Sequence, residues 1–491
     1  MRLNGETLGC LPREVRVPAY DRSRLSPGIL HIGLGNFHRA HQAWYLHRVF
    51  DLGKSHDWAI VGAGVRRYDA AMREKFLNQD CLTTLVQLDP TGRSAEVCGS
   101  MIDYVPIEAG NKALIERMAA PDIRIVALTV TEGGYYLDLA TKGFDADHAD
   151  IRHDAANPDR PITAFGAMVA ALKRRRGQGG GPFTCQSCDN LQGNGEILRQ
   201  TIVSLAQLSD PDLAAWIDAN CTFPNAMVDC IVPATGPSEL TLVRDIGIED
   251  EVPVTHENFR QWVLEDRFCA GRPEWEAAGV TISDRVHDYE TMKIRILNGG
   301  HQVIAPAGDL LGIETISECM SHPQISAFFR KVISEEVTPH IDPVPEYTPQ
   351  AYMALIESRF SNPSIRDTAR RVAFDGSSRQ PGFILLSVRD GLKAGLSVKG
   401  LALVSAIWAR YCYGHREDGS EVMPNDPQWE MLRAVAQEAR LEPYAWLGMR
   451  QFYGALADAP DFATPFSDWL RMLYDVGVEA TLRSYLQGQR S

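Results

Sequence analysis

The run of residues 289–301 (YETMKIRILNGGH) concentrates side chains able to move and hold protons. If helical, Lys293, Asn298 and His301 fall within an arc of about 140° at ~100° per residue, within reach of a long lysine side chain. Oxidising an alcohol needs a base for the hydroxyl proton and donors for the developing alkoxide. A desolvated lysine loses its preference for the charged form and can take such a proton near neutral pH. Asn298 can donate its amide to the alkoxide oxygen, and His301 can orient the hydroxyl or Lys293. Glu290, three residues before Lys293, can pass the proton outward. The same residues also fit a solvated lysine paired with Glu290, an asparagine capping a helix before Gly299-Gly300, and a satisfied core histidine. Spacing alone leaves both readings open.

A second constellation suits a dinucleotide. A β-rich run ends in Gly33-Leu34-Gly35-Asn36-Phe37-His38-Arg39 and continues into a helical composition. Glycines at a strand-to-helix turn let the backbone approach a pyrophosphate, and the helix start offers amide donors and a positive dipole. The third glycine of the usual fingerprint is replaced by His38, and an ordinary glycine turn is the bland alternative. After the next strand, Asp69 suits a free ribose 2′-hydroxyl and hence NAD, whereas Arg66 and Arg67 suit a 2′-phosphate and leave NADP open. Gly62-Ala63-Gly64 lacks a comparable helix start behind it.

Positioning these groups calls for an α/β unit followed by a helical one. Residues 28–32, 58–61, 84–88, 123–131 and 183–187 read as strands, several separated by crossover-length helices, the rhythm of a doubly wound sheet. Beyond about residue 285 the pattern changes to long amphipathic stretches at 325–337, 350–360 and 400–413. The expected division is a Rossmann-like domain over 1–285 and a mostly helical domain over 286–491. A chain of 491 residues exceeds what one core usually supports. Pro343, Pro345 and Pro349 mark a stiff loop within the helical half.

Composition narrows the partners. With 49 Lys and Arg against 63 Asp and Glu, the formal charge of -14 disfavours nucleic acid. The basic run at 173–176 precedes glycines and reads as a helix C-terminus. Ten cysteines without an export signal favour reduced thiols. The pair Cys185 and Cys188 has no second pair to complete a zinc site, so no metal is expected. No stretch approaches the roughly 18 apolar residues of a membrane span, and the expected location is the cytoplasm.

The chain resembles the mannitol dehydrogenase family of polyol-specific long-chain dehydrogenases. The matching stretches are 31–42 (HIGLGNFHRAHQ), 129–135 (TVTEGGY), 187–190 (SCDN), 223–229 (FPNAMVD), 261–266 (QWVLED), 293–301 (KIRILNGGH) and 375–378 (DGSS). The resemblance implies a zinc-independent oxidoreductase of carbohydrate metabolism that interconverts a sugar alcohol, a mannitol-like hexitol or a pentitol, and a ketose. Lys293 is then the general acid/base, Asn190 and Asn298 an oxyanion-binding pair, His301 a substrate-positioning residue and Glu290 a carboxylate on a proton path. Asp229, Arg371 and Arg379 fall where that family contacts polyol hydroxyls, and a monomer or weak homodimer is implied. Four departures touch the pocket: Cys230 where an arginine is usual, Asn258 for proline, Gly300 for serine, and Arg379 for lysine. At the second strand, Tyr68 precedes Asp69 where the family often has two acids.

Three rivals remain. Tyr289 and Lys293 have the Tyr-x-x-x-Lys spacing of short-chain dehydrogenases, but that pair should follow its phosphate loop within one domain, and here it comes about 250 residues later. A fructuronate or tagaturonate reductase of the same family would use Arg371 and Arg379 as a carboxylate fork. A catalytically silent nicotinamide-binding sensor would keep the fold and lose turnover.

Overall fold

In the computed structural model the described residues are 1–66, 68–137 and 143–488, so Arg67 lies outside them. The chain divides into two compact units, Met1–His287 and Asp288–Ser491.

Among the described residues twelve strands, all in the first unit, are β1 (Val15–Arg16), β2 (Pro27–Ile32), β3 (Ala59–Ala63), β4 (Thr83–Asp89), β5 (Gly92–Cys98), β6 (Met101–Tyr104), β7 (Ile125–Leu128), β8 (Thr184–Ser187), β9 (Ala226–Asp229), β10 (Val254–Glu257), β11 (Gln261–Leu264) and β12 (Thr281–Ile282). The central sheet has the order β6-β3-β2-β7-β8 and is parallel throughout. Its three inner strands, β3, β2 and β7, are largely apolar runs because both faces are covered, while the edge strands β6 and β8 carry polar residues. Ile29, Ile60, Ile125 and Ala127 point into one core, while Leu30, Val61, Val126 and Leu128 point into the other. This is the period-two alternation of a pleated strand. Each isoleucine or leucine so buried contributes about 1.5–3 kcal/mol. The strand order reverses between β2 and β7, and ligands of open α/β sheets bind beyond the strand carboxyl ends at such a point.

Two expectations for this unit need correction. The strand at 84–88 exists but belongs to a separate mixed sheet, β1-β5-β4-β10, where β4 runs antiparallel to β5. The short Asp89-to-Gly92 connection makes a hairpin, which excludes β4 from the parallel crossover series. The helix after the glycine loop is also not continuous: Asn36–Ala40 and Gln42–Asp51 are separated at His41, with φ −121° and ψ −92°. The basic run does end a helix, Ala164–Gly177.

The second unit has no strand among the described residues, only isolated bridges. Its central helix, Lys399–Cys412, is buried at every position from Gly400 onward. The amphipathic reading of 400–413 therefore gives way to a core helix buried on every side, lying along Pro460–Asp475 and carrying Arg410 in its last turn. The catalytic run is helical but not uniformly α. Val286–Met292 and Gly299–Leu310 are joined by a π-helical turn, Lys293–Asn298, so the arc calculated for a plain α-helix does not apply. No helix among the described residues is long and apolar enough to cross a membrane.

Candidate active-site residues

In the first unit the glycine loop leaves the carboxyl end of β2. Gly33 has φ +91°, and a Cβ there would stand 2.2 Å from the Thr129 carbonyl oxygen, so only glycine fits. A Cβ at Gly35 would meet nothing within 4 Å, leaving open space beside the helix start at Asn36. This backbone cradle suits a pyrophosphate.

The loop's side chains turn inward. Asn36 donates from Nδ2 to the Pro233 carbonyl and Thr235 Oγ1, both at 2.9 Å, and its Oδ1 accepts from Arg39. Arg39 is buried, also donates to the Val252 carbonyl, and has its pKa lowered to about 10 by desolvation. His38 stacks on His31 at 3.6 Å, and neither of its ring nitrogens has a hydrogen-bond partner. Burial holds it well below the ordinary histidine value. Phe37 stacks on His41 at 4.8 Å. These four side chains hold the loop in shape, and the backbone remains to meet a ligand. Beneath the loop, His31 bridges Gln42 at 2.7 Å and Thr129 Oγ1 at 3.0 Å, and Thr129 Oγ1 donates to the Gly33 carbonyl at 2.6 Å.

Beyond β3, Asp69 Oδ2 accepts the Arg66 backbone N–H at 3.0 Å, folding its carboxylate over Gly64. The Arg66 guanidinium, on an exposed residue, lies 6.0 Å from the Tyr68 ring centroid. An acid and a cation thus both flank the position that distinguishes the two nicotinamide cofactors.

Asn190 is exposed just beyond the carboxyl end of β8. Its neighbour Asp189 is buried and accepts the Val130 N–H at 3.1 Å, the Thr131 N–H at 3.0 Å and the Tyr135 hydroxyl at 2.7 Å. Thr131 carries φ +68° and ψ 160°, a region that side chains avoid. Asp189 thus fixes both the start of Asn190 and a strained turn at the end of β7. Sequence reasoning missed this role. The available signal was an acid two residues beyond the end of a predicted strand, where a charge that becomes buried must find donors.

Asp229 is buried at the end of β9, opposite Gln261 of β11, in a three-stranded sheet of its own. Cys230 is buried beside it, and all ten cysteines are free thiols. Arg260, on the turn between β10 and β11, interacts electrostatically with Cys230. It donates to the Ala40 carbonyl at 2.7 Å and contacts His256 Nε2 at 2.8 Å, with its guanidinium 4.0 Å from the Trp44 ring centroid. A cation therefore stands near Cys230 although residue 230 has none.

In the second unit Glu290 and Lys293 are both buried. A π-turn closes i→i+5 bonds, which brings residue i+5 above residue i, and such turns recur at functional sites. Asn298 is five residues after Lys293, so the turn brings the two closer around the helix than a plain α-helix would, and His301 follows Asn298 at helical spacing. Asn298 Oδ1 is buried without a hydrogen-bond partner. The His301 ring lies on Phe360, centroids 4.1 Å apart and planes 15° apart. Tyr289 donates its hydroxyl proton to Glu346 Oε2, which commits the group that a Tyr-x-x-x-Lys mechanism would need. The Arg371 guanidinium is paired through Nε and Nη2 with Asp367, both at 2.7 Å. Arg379 donates to the Val372 carbonyl at 2.7 Å.

A reversing parallel sheet with a glycine cradle, followed by a helical unit carrying a buried lysine, defines a two-unit chain of the Rossmann type. The family model described as the mannitol dehydrogenase Rossmann domain matches residues 27–277, and that for the mannitol dehydrogenase C-terminal domain matches 285–474. The chain belongs to the mannitol dehydrogenase family. A mannitol 2-dehydrogenase of Cereibacter sphaeroides is 54% identical over 476 residues, covering 97% of this chain and 100% of that one. The solved structure of Pseudomonas fluorescens mannitol 2-dehydrogenase, a ternary complex with NAD and D-mannitol, is 39% identical with a TM-score of 0.93, covering 99% of this chain and 100% of that one. A D-sorbitol dehydrogenase in substrate-free form is 33% identical with a TM-score of 0.86, covering 98% and 100%.

Proposed function

We propose that this chain interconverts a sugar alcohol, a mannitol-like hexitol or a pentitol, and the corresponding ketose, with Lys293 as the general acid/base. The observation that carries the reading is the π-turn Lys293–Asn298, which begins at a buried amine and ends at an amide whose Oδ1 is buried and unpartnered. The relatives named for mannitol 2-dehydrogenase and D-sorbitol dehydrogenase support a hexitol.

Residues 1–285 hold the dinucleotide and residues 286–491 carry the acid/base. The cradle at Gly33, Gly35 and the Asn36 helix start fits a pyrophosphate, with Phe37, His38 and Arg39 keeping its shape and Asp69 meeting the ribose. NAD is the proposed cofactor, in line with the NAD complex of the Pseudomonas relative, while Arg66 keeps NADP as the alternative. When bound, the nicotinamide supplies the hydride acceptor. Lys293, as the neutral amine, takes the hydroxyl proton, and the Asn190 and Asn298 amides donate to the oxygen as it gains negative charge. His301 holds the reacting alcohol in line, and Glu290 accepts the proton from Lys293. Asp229, Arg371 and Arg379 bind the remaining hydroxyls. In the reverse direction Lys293 starts protonated and gives its proton to the carbonyl oxygen as the hydride arrives. We further propose a cytoplasmic monomer or weak homodimer.

The test is a purified-enzyme screen of hexitols, pentitols and hexuronates with NAD and NADP, following nicotinamide absorbance. Turnover with a polyol is expected, and Lys293→Met should lower kcat by about 10²–10⁴-fold while NADH still binds. Turnover confined to hexuronates would transfer the assignment to uronate reduction, against which the pairing of Arg371 with Asp367 already argues. NADH binding without turnover on any substrate would make the chain a sensor.

A further inference from the structure

Gly300 lies inside the helix Gly299–Leu310, an unfavourable place for glycine. A Cβ there would stand 2.7 Å from Phe329 Cε2 and 3.4 Å from Phe360 Cε2. At 2.7 Å something must shift, and the obstructing atom belongs to a ring buried at 0% exposure. Phe329, on the helix Pro323–Val332, packs at 5.8 Å and 57° against Phe360, the last residue of the helix Pro349–Phe360. The face of Phe360 lies flat on the His301 ring. Four residues thus form a chain in which the missing side chain at 300 admits Phe329, Phe329 backs Phe360, and Phe360 sets the plane of His301.

We propose that Phe329 and Phe360 are positioning residues that aim the His301 ring nitrogens at the substrate hydroxyl, and that Gly300 is the adaptation that makes room for them. The inference rests on the substrate-positioning role of His301 proposed above. A stacked imidazole cannot tilt about its Cβ–Cγ bond without losing contact with Phe360, so the plane in which its nitrogens point is held. A side chain at 300 displaces Phe329, loosens Phe360 and lets the imidazole tilt. Small misplacements of a positioning group are expensive in rate. The consequence reaches the polyol alone, because none of these residues belongs to the unit that holds the dinucleotide.

The experiment uses the full chain and the best polyol from the screen, measuring kcat, KM, NADH affinity by fluorescence titration, and Tm. G300S should lower kcat/KM for the polyol by about ten- to a hundredfold with NADH affinity unchanged. Adding F329L, which withdraws the obstructing ring edge, should restore most of that loss. F360L should reproduce the defect without any change at position 300, and decides the matter if G300S does not fold. Wild-type kcat/KM in G300S or F360L, or a G300S loss that F329L does not relieve, overturns the proposal. H301A separates the two levels. If H301A keeps full kcat/KM, the role assigned to His301 falls and this inference with it. If H301A is impaired while G300S and F360L are normal, only the present inference falls.

Discussion

Replacing Asp189 by asparagine tests whether the carboxylate under the β7 turn serves catalysis. Asp189 accepts three hydrogen bonds, two at Oδ2 and one at Oδ1. In D189N one of those oxygens becomes an amide NH₂ that faces an N–H or O–H donor, so at least one charge-assisted bond is lost, at about 1.5–3 kcal/mol. The unusual φ of Thr131 stores about 1–3 kcal/mol of strain that the carboxylate clamp holds in place, and a weakened clamp lets it relax. Part of the lost bond energy is recovered in that relaxation, which leaves a net destabilisation of about 1 kcal/mol and a Tm lower by roughly 2–4 °C for a unit of this size. Relaxation moves the Asn190 backbone and, through Thr129, the Gly33 carbonyl. Removing one donor to a developing oxyanion costs about 10²–10³-fold, and displacing it should cost about 10–10²-fold in kcat, with a smaller rise in cofactor KM. The assay is steady-state kinetics well below Tm alongside thermal unfolding. A lowered Tm with unchanged kcat refutes the coupling of Asp189 to Asn190 and leaves a purely structural acid.

Tyr289→Phe should keep turnover within about threefold of wild type and cost about 1 kcal/mol of stability, the worth of its hydrogen bond to Glu346; collapse of kcat would restore the tyrosine mechanism. Acid should destabilise the first unit. Burial lowers His31 and His256 to about 3 and His47 to about 4, from an ordinary 6.5. The unfolded chain then binds protons that the folded chain refuses, so stability is full above about pH 6.5 and falls progressively as pH drops toward 3. Thermal unfolding from pH 7.5 to 4.5 should show a declining Tm, with His31→Gln, which removes one titrating group, declining less steeply. A flat profile for the wild type would contradict the buried neutral state of these rings.

The amino-acid order by itself determined much of this protein. Alternating β-rich and helical stretches identified the α/β unit, because the inner parallel strands, covered on both faces, are largely apolar. The glycine loop was legible because Gly33 must adopt a left-handed backbone and approach Thr129 closely. Lys293, Asn298 and His301 were legible as candidates because an amine, an amide and an imidazole fall together around the apolar run Ile294, Ile296 and Leu297.

Tertiary structure decided the rest. The order of strands in the sheet, and the removal of β4 to another sheet, depend on pairings between segments far apart in sequence. The placement of Asn298 around the helix relative to Lys293 depends on a π-turn, which departs from the 3.6 residues per turn assumed in reading the sequence. The burial of Gly400–Cys412 on all sides comes from the helices that surround it. Asp189 and Phe360 act through partners more than 50 residues away, the amides of Val130 and Thr131 and the ring of His301, so their roles exist only once the chain has folded. Local chemistry can be read along the chain, but the direction in which a side chain is held is set by its neighbours in space.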